Sequence, residues 1–157
     1  MFAGAWHEPV IRKEIESFLE KNKHLRITWL GSVSGEKKRQ AFEDADIFVF
    51  PTYYPPEGHP WVLIEAMAAG KPVICLDTGG PGMHVTDDWG FKISPSSPKH
   101  AVQELASCLE RMYLDRDLRD RLGRAAHERA ENYYHWDKLG EQLMEIYKNA
   151  LAAGRDS

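Results

Sequence analysis

Apolar positions along this chain follow two regimes. Up to Ser96, short runs rich in β-branched and aromatic residues alternate with stretches of helical spacing; from Ser97 onward only the helical spacing remains. Alternation of the first kind is the signature of right-handed βαβ units and predicts an α/β domain with a parallel sheet flanked by helices. Phe2 to Trp6 can form a strand, after which Pro9 opens a helix carrying Ile11, Ile15, Phe18 and Leu19 on one face. Leu25 to Leu30 reads as the next strand and Gly31 ends it. Ser34 then suits the N-cap of a short helix that turns Ala41, Phe42 and Ala45 inward and leaves Lys37, Lys38 and Arg39 as a solvated face.

The run Ile47-Phe48-Val49-Phe50 is apolar on both faces, as a central parallel strand requires, and Pro51 stops it because proline cannot donate to a ladder. After a loop at Thr52 to His59, Pro60 starts a helix, Gly70 terminates it, and Pro72 to Leu76 forms a buried strand. Gly79-Gly80-Pro81-Gly82 predicts a loop leading into a short helical turn, and Gly90 to Ser94 a last, more exposed strand. Ser97 as N-cap and Pro98 at the first helical position open a run of three helices. In the middle one, Asp117 with Arg121 and Asp120 with Arg124 stand at i, i+4 spacing, a solvated face worth tenths of a kcal/mol per pair.

The bulk numbers narrow the function. A chain of 157 residues fits one domain, 1–157, whose segment 98–157 is helical. Hydrophobic residues at 43% and charged residues at 28% suit a soluble globular protein, and a net charge of -4 offers no global attraction to nucleic acid or anionic lipid. No run approaches the roughly 18 apolar residues of a membrane span, and the N-terminus lacks the basic and long apolar regions of a signal peptide. A cytoplasmic protein is expected, with Cys75 and Cys108 as reduced core residues. The 7 histidines are scattered over different elements, so neither a bound metal nor another cofactor is indicated. The glycine-rich signatures of nucleoside triphosphate and dinucleotide binding are missing too, which weakens ATP hydrolysis and hydride transfer as readings.

One helix concentrates the candidate chemistry. Between Pro60 and Gly70, Trp61, Val62, Leu63, Ile64, Ala66, Met67, Ala68 and Ala69 make it apolar all round and hence expected to be buried, and Glu65 is its one charge. A lone carboxylate there costs several kcal/mol unless it is paired, protonated or turned toward a polar ligand. The helix follows a strand of a parallel sheet, and such sheets bind ligands beyond the carboxyl ends of their strands. Amides at Gly58, His59, Trp61 and Val62, with the helix dipole, would favour a phosphate. Glu57 precedes Glu65 by 8 positions. At about 10 Å apart along the element the two cannot share a proton, but each could accept two hydrogen bonds from a vicinal diol, such as those on the ribose and hexose of a nucleotide-sugar. The competing reading pairs Glu65 with a neighbouring Arg or Lys and leaves Glu57 a solvated loop acid.

The segment Asp46-Ile-Phe-Val-Phe-Pro-Thr, followed by Glu57-Gly-His-Pro-Trp-Val-Leu-Ile-Glu65-Ala-Met-Ala-Ala-Gly-Lys-Pro-Val-Ile, resembles glycosyltransferase family 4, the group 1 enzymes of GT-B fold. The Gly31-x-Val33-Ser turn and the Thr78-Gly-Gly loop extend the resemblance. It implies a Rossmann-like donor-binding half of a GT-B enzyme, truncated at its start, whose parent reaction transfers a hexose from a nucleotide diphosphate sugar with retained configuration and no protein-bound metal. By that comparison Glu57 is the catalytic carboxylate near the reacting carbon and Glu65 holds the ribose. Gly58, His59, Pro60, Trp61 and Val62 contact sugar and diphosphate, and Val33 lies against the nucleobase. The acceptor would be a glycan, a lipid-linked molecule or another class, with peripheral membrane contact left open for the full-length enzyme.

The family's cationic loop that grips the diphosphate has no counterpart at Trp6 to Ser17, and Gly82-Met83 stands where the family has Pro-Glu. His84 lies nearby, as a substitute for that acid or as an ordinary helix histidine. The N-terminal GT-B domain is expected as a missing partner. Trp136 to Ala152 resembles the family's closing segment, so Leu139, Leu143, Ile146 and Tyr147 are expected to be partly uncovered and to favour self-association. The chain alone is expected to be inactive. Two rivals remain open: a non-catalytic nucleotide-sugar binding or interaction module needing a separate N-terminal partner, and a GT-B relative with other sugar chemistry.

Overall fold

The computed structural model describes residues 1–5, 8–54 and 56–153. They form two compact units, Met1–Ala45 and Asp46–Ser157.

In the first unit, the strands expected at Phe2 to Trp6 and Leu25 to Leu30 reduce to one parallel bridge between Phe2 and Trp29. Phe2 donates to the Thr28 carbonyl at 2.8 Å, and Leu30 and Gly4 donate to the carbonyls of Phe2 and Gly31 at 2.8 and 2.9 Å. Local bonding shortens both runs. The Leu25 amide is taken by Asn22 and the Ile27 amide by Leu25, so the second run is free for a ladder only from Thr28, and Gly4 turns the first at φ 148°. Trp6, its expected end, lies outside the described residues, as does His7. Helices α1 (Pro9–Lys21) and α2 (Gly35–Glu43) follow. The apolar face of α1 is exposed at Ile11, Ile15 and Phe18. Ser34 occupies the N-cap of α2 without a side-chain bond, and Lys38 is half-buried rather than solvated.

The second unit is built on three parallel strands, β1 (Phe48–Phe50), β2 (Val73–Leu76) and β3 (Gly90–Ile93), in that order across the sheet. Val49 registers with Ile74 and Ile74 with Phe91. The expectation that Ile47 to Phe50 is central is corrected: β2 is central and wholly buried, while β1 is half-buried because no strand of this unit pairs with its outer edge. The period-2 alternation of β2 divides the core. Val73 and Cys75 face Leu63, Ile64 and Met67 of α3 (Trp61–Ala68) together with Ala126 and Ala130 of α6 (Arg116–Tyr133). Ile74 and Leu76 face Ala101 and Met112 of α5 (Pro98–Leu114) and Leu118 and Leu122 of α6. Each fully buried large side chain contributes roughly 1.5–3 kcal/mol by leaving water. An α/β sheet with helices on both faces is what the alternating pattern predicts.

The glycines expected as a loop are instead the first turn of α4 (Gly79–His84), which starts at once because Gly79 turns at φ 50°. The three closing helices stand as expected, ending with α7 (Trp136–Ala153). Ser97 accepts from the His100 amide at 3.2 Å, and Asp115 caps α6 by accepting from Leu118 at 2.8 Å. On the solvated face of α6, Asp120 pairs with Arg116 at 3.6 Å. No described residue of α7 is buried; Leu143, Ile146 and Tyr147 are all exposed.

Candidate functional site

The site is built around the beginning of α3. Pro60 sits at the N-cap, one residue before the helix, with extended backbone, and no side chain among the described residues caps the helix. Leu63 already donates to the Pro60 carbonyl at 3.0 Å, while the Trp61 and Val62 amides lie in the first turn, where a helix supplies no carbonyl of its own. Positive potential from these amides and the helix dipole therefore collects beside the Glu57–His59 loop.

That loop is seated backbone to backbone on the start of α4. The Glu57 carbonyl accepts from the Gly80 amide at 2.8 Å, and the Glu57 amide donates to Tyr54 at 3.2 Å. A Cβ on Gly80 would fall 1.2 Å from the Gly58 carbonyl oxygen, so no other residue type fits there without moving the loop. The physical role of Gly80 in the Thr78-Gly-Gly sequence is thus to hold the Glu57-bearing loop in place. The Glu57 side chain is half-buried and Gly58 is exposed.

Glu65 is half-buried, with its Oε2 closed off from water. The expectation of a helix buried all round is corrected in part. Leu63, Ile64, Ala66 and Met67 are buried, but Trp61 is 55% exposed and Ala68 and Ala69 are exposed. Of these exposed positions, Trp61 is the one beside the candidate site. Gly70, at φ 69°, closes the other end by donating to the Met67 carbonyl at 2.8 Å.

A cluster of rings adjoins the loop. His59 Nδ1 lies 2.5 Å from His84 Nε2, and His84 Nδ1 lies 3.2 Å from the Tyr134 hydroxyl. Trp89 Nε1 donates to the His84 carbonyl at 3.2 Å. Burial, and after it the charges of His59 and Arg129, hold the His84 ring below its ordinary value. The Arg129 guanidinium lies 3.3 Å from the Tyr133 ring centre, a cation–π contact. Trp61 stacks on Trp136 at 5.7 Å and 27°.

Of the residues singled out in the sequence, Glu57, Gly58, His59, Pro60, Trp61, Val62 and Glu65 are contiguous on this loop and helix. Val33 is half-buried in the first unit, in the turn that Gly31 makes at φ 66°. The link from His59 through His84 to Tyr134 went unread, since its partners stand 25 and 50 positions apart and share no local spacing. Among the described residues no group of three His, Cys, Asp or Glu side chains is placed to hold a metal ion. No described helix is long and apolar enough to cross a membrane.

Residues 2–129 match the family described as "Glycosyl transferases group 1". The chain belongs to the group 1 glycosyltransferases. It is 30% identical over 131 residues to a sucrose synthase of Melioribacter roseus, covering 80% of this chain and 16% of that protein. Among solved structures, sucrose-phosphate synthase from Thermosynechococcus elongatus superposes with a TM-score of 0.73 at 27% identity, over 96% of this chain and 38% of that one. Anabaena HepE, in complex with UDP-glucose, gives a TM-score of 0.77 at 22% identity, over 94% and 40%. The fold is that of GT-B glycosyltransferases. This group 1 chain spans only 16% to 40% of the length of these three proteins.

Proposed function

We propose that this chain is the donor-binding half of a retaining hexosyltransferase that uses a nucleotide diphosphate sugar. The observation that carries the reading is that one continuous loop and helix hold a carboxylate on a backbone-clamped loop, an uncapped helix N-terminus and, further along α3, a half-buried carboxylate. Glu65 accepts the ribose hydroxyls and Glu57 acts near the anomeric carbon. The segment Gly58 to Val62 contacts sugar and diphosphate, and the charge that develops as the diphosphate departs is stabilised by the Trp61 and Val62 amides and the helix dipole. The nucleobase role of Val33 rests on the resemblance alone.

The acceptor site belongs to an N-terminal domain, without which the chain binds donor weakly and does not turn it over. No protein-bound metal is required by this scheme. Calorimetry with UDP, ADP and GDP and with their sugar conjugates tests it, UDP-glucose being the first to try. Binding of one conjugate without transfer is the expected result, whereas failure to bind any nucleotide diphosphate or its sugar would remove the reading.

A further inference from the structure

We propose that His59, aligned by His84 and Tyr134, supplies a proton-dependent positive charge to the diphosphate of the nucleotide-sugar. The inference rests on the donor-site reading above and adds to it residues from α4 and from the end of α6. It starts from the 2.5 Å approach of His59 Nδ1 to His84 Nε2. At that separation one nitrogen donates and the other accepts, so a single proton lies between the rings. In the neutral pair two arrangements compete. If Tyr134 donates to His84 Nδ1, His84 donates to His59 and leaves the His59 proton on Nε2. If instead His84 donates to Tyr134, His59 must donate through Nδ1, and its Nε2 becomes an acceptor that would repel an anion.

One further proton removes the ambiguity. The charged pair carries N–H groups at His59 Nε2 and His84 Nδ1 as well as the shared one, and the Tyr134 hydroxyl turns to accept. His59 is exposed and immediately precedes the N-cap of α3, the end of the helix that carries the first-turn amides. Arg129 on α6 acts on His84 through its charge, and Glu57 precedes His59 by two positions on the loop. Burial, and after it the charge of Arg129, resist the extra proton on His84. A bound dianionic diphosphate offsets that resistance, so proton uptake accompanies donor binding.

His84 and Tyr134 touch no ligand in this scheme; they are positioning residues, and pH dependence is the readout that a merely structural hydrogen bond would not produce. The probes are UDP-glucose, ADP-glucose and GDP-mannose, whose esterified diphosphates keep a constant charge where a free terminal phosphate would titrate. By calorimetry, the tightest of them should bind roughly tenfold better at pH 6 than at pH 8, the gain expected of one charge-assisted hydrogen bond. The binding heat should also depend on the ionisation heat of the buffer. His84→Asn keeps a hydrogen-bonding side chain without a titratable ring, and Tyr134→Phe alters the relay from its far end. Because both keep the His59 imidazole, each should reduce the pH dependence, whereas His59→Asn, which removes the donor ring itself, should flatten it to less than about twofold. A flat profile in the unaltered chain, or a full one in both relay variants, overturns the dyad and leaves the donor site standing. Failure of all three sugars to bind at either pH removes both together.

Discussion

Gly80 and Gly58 meet so closely that a Cβ on the first would lie 1.2 Å from the carbonyl oxygen of the second. The loop carrying Glu57 is therefore positioned by the absence of a side chain on a different helix. Gly80→Ala should force that loop away from the start of α3 and cost about 1–3 kcal/mol of stability, read as a lower urea midpoint. Donor affinity should fall further than stability does. A variant that keeps both would show that the contact does not set the geometry.

Glu65→Gln keeps the shape of the side chain but removes the charge that makes it a strong double acceptor. Affinity for the nucleotide sugar should drop by roughly 1.5–3 kcal/mol, while the urea midpoint changes little. Unchanged affinity would return Glu65 to a structural role.

The Cys75 thiol is pushed up to about 12, first by burial and then by Asp77, with Lys92 offsetting part of the effect. Native protein should leave it unlabelled by iodoacetamide at about pH 8, and urea should expose it. The raised value also fixes a sign. From its ordinary 9.0 upward the unfolded chain releases a proton that the folded chain keeps, so this contribution is whole below 9.0 and lost toward about 12. Comparing alkaline urea midpoints of the unaltered chain and Cys75→Ala isolates it.

His84 runs the other way. Its folded value lies below the ordinary 6.5, so under that pH the unfolded chain takes up a proton that the native ring refuses, and stability falls with acid. His84→Asn should make the urea midpoint less sensitive to acid below pH 6.5. Saturating donor should reduce the same loss in the unaltered protein.

Leu143, Ile146 and Tyr147 leave α7 with an exposed apolar side. Self-association through that side should appear as a concentration-dependent mass in sedimentation, and Ile146→Glu should return the chain to a monomer. A variant that associates as before would point to another surface.

Local signals and tertiary ones divide what could be read in advance. Strands β1 to β3 and helices α3 and α5 to α7 were legible because each is a periodic run bounded by its own punctuation: Pro51, Gly70, Ser97 with Pro98. The first unit was legible only in outline, since the competition between turn bonds at Leu25 and Ile27 and a ladder at Trp29 is decided by contacts rather than by β-propensity. Glu57 and Glu65 stood out because charge is costly among apolar neighbours. His84 stood out only by its place after the glycine loop, for nothing within its own helix announces His59 or Tyr134.

Glycine closeness also occurs at the far end of α3, where a Cβ on Gly123 would come within 2.4 Å of the Gly70 carbonyl oxygen. Isolated helices unravel from their tips inward, which gives amide exchange a dome-shaped profile with fast ends. With one tip abutting α6 and the loop before the other wedged against α4, α3 has little room to unwind at either extremity. Beyond its unbonded first-turn amides, its exchange protection should be nearly level, and accommodating differently sized donors then falls to the exposed side chains at its start rather than to axial sliding of the helix.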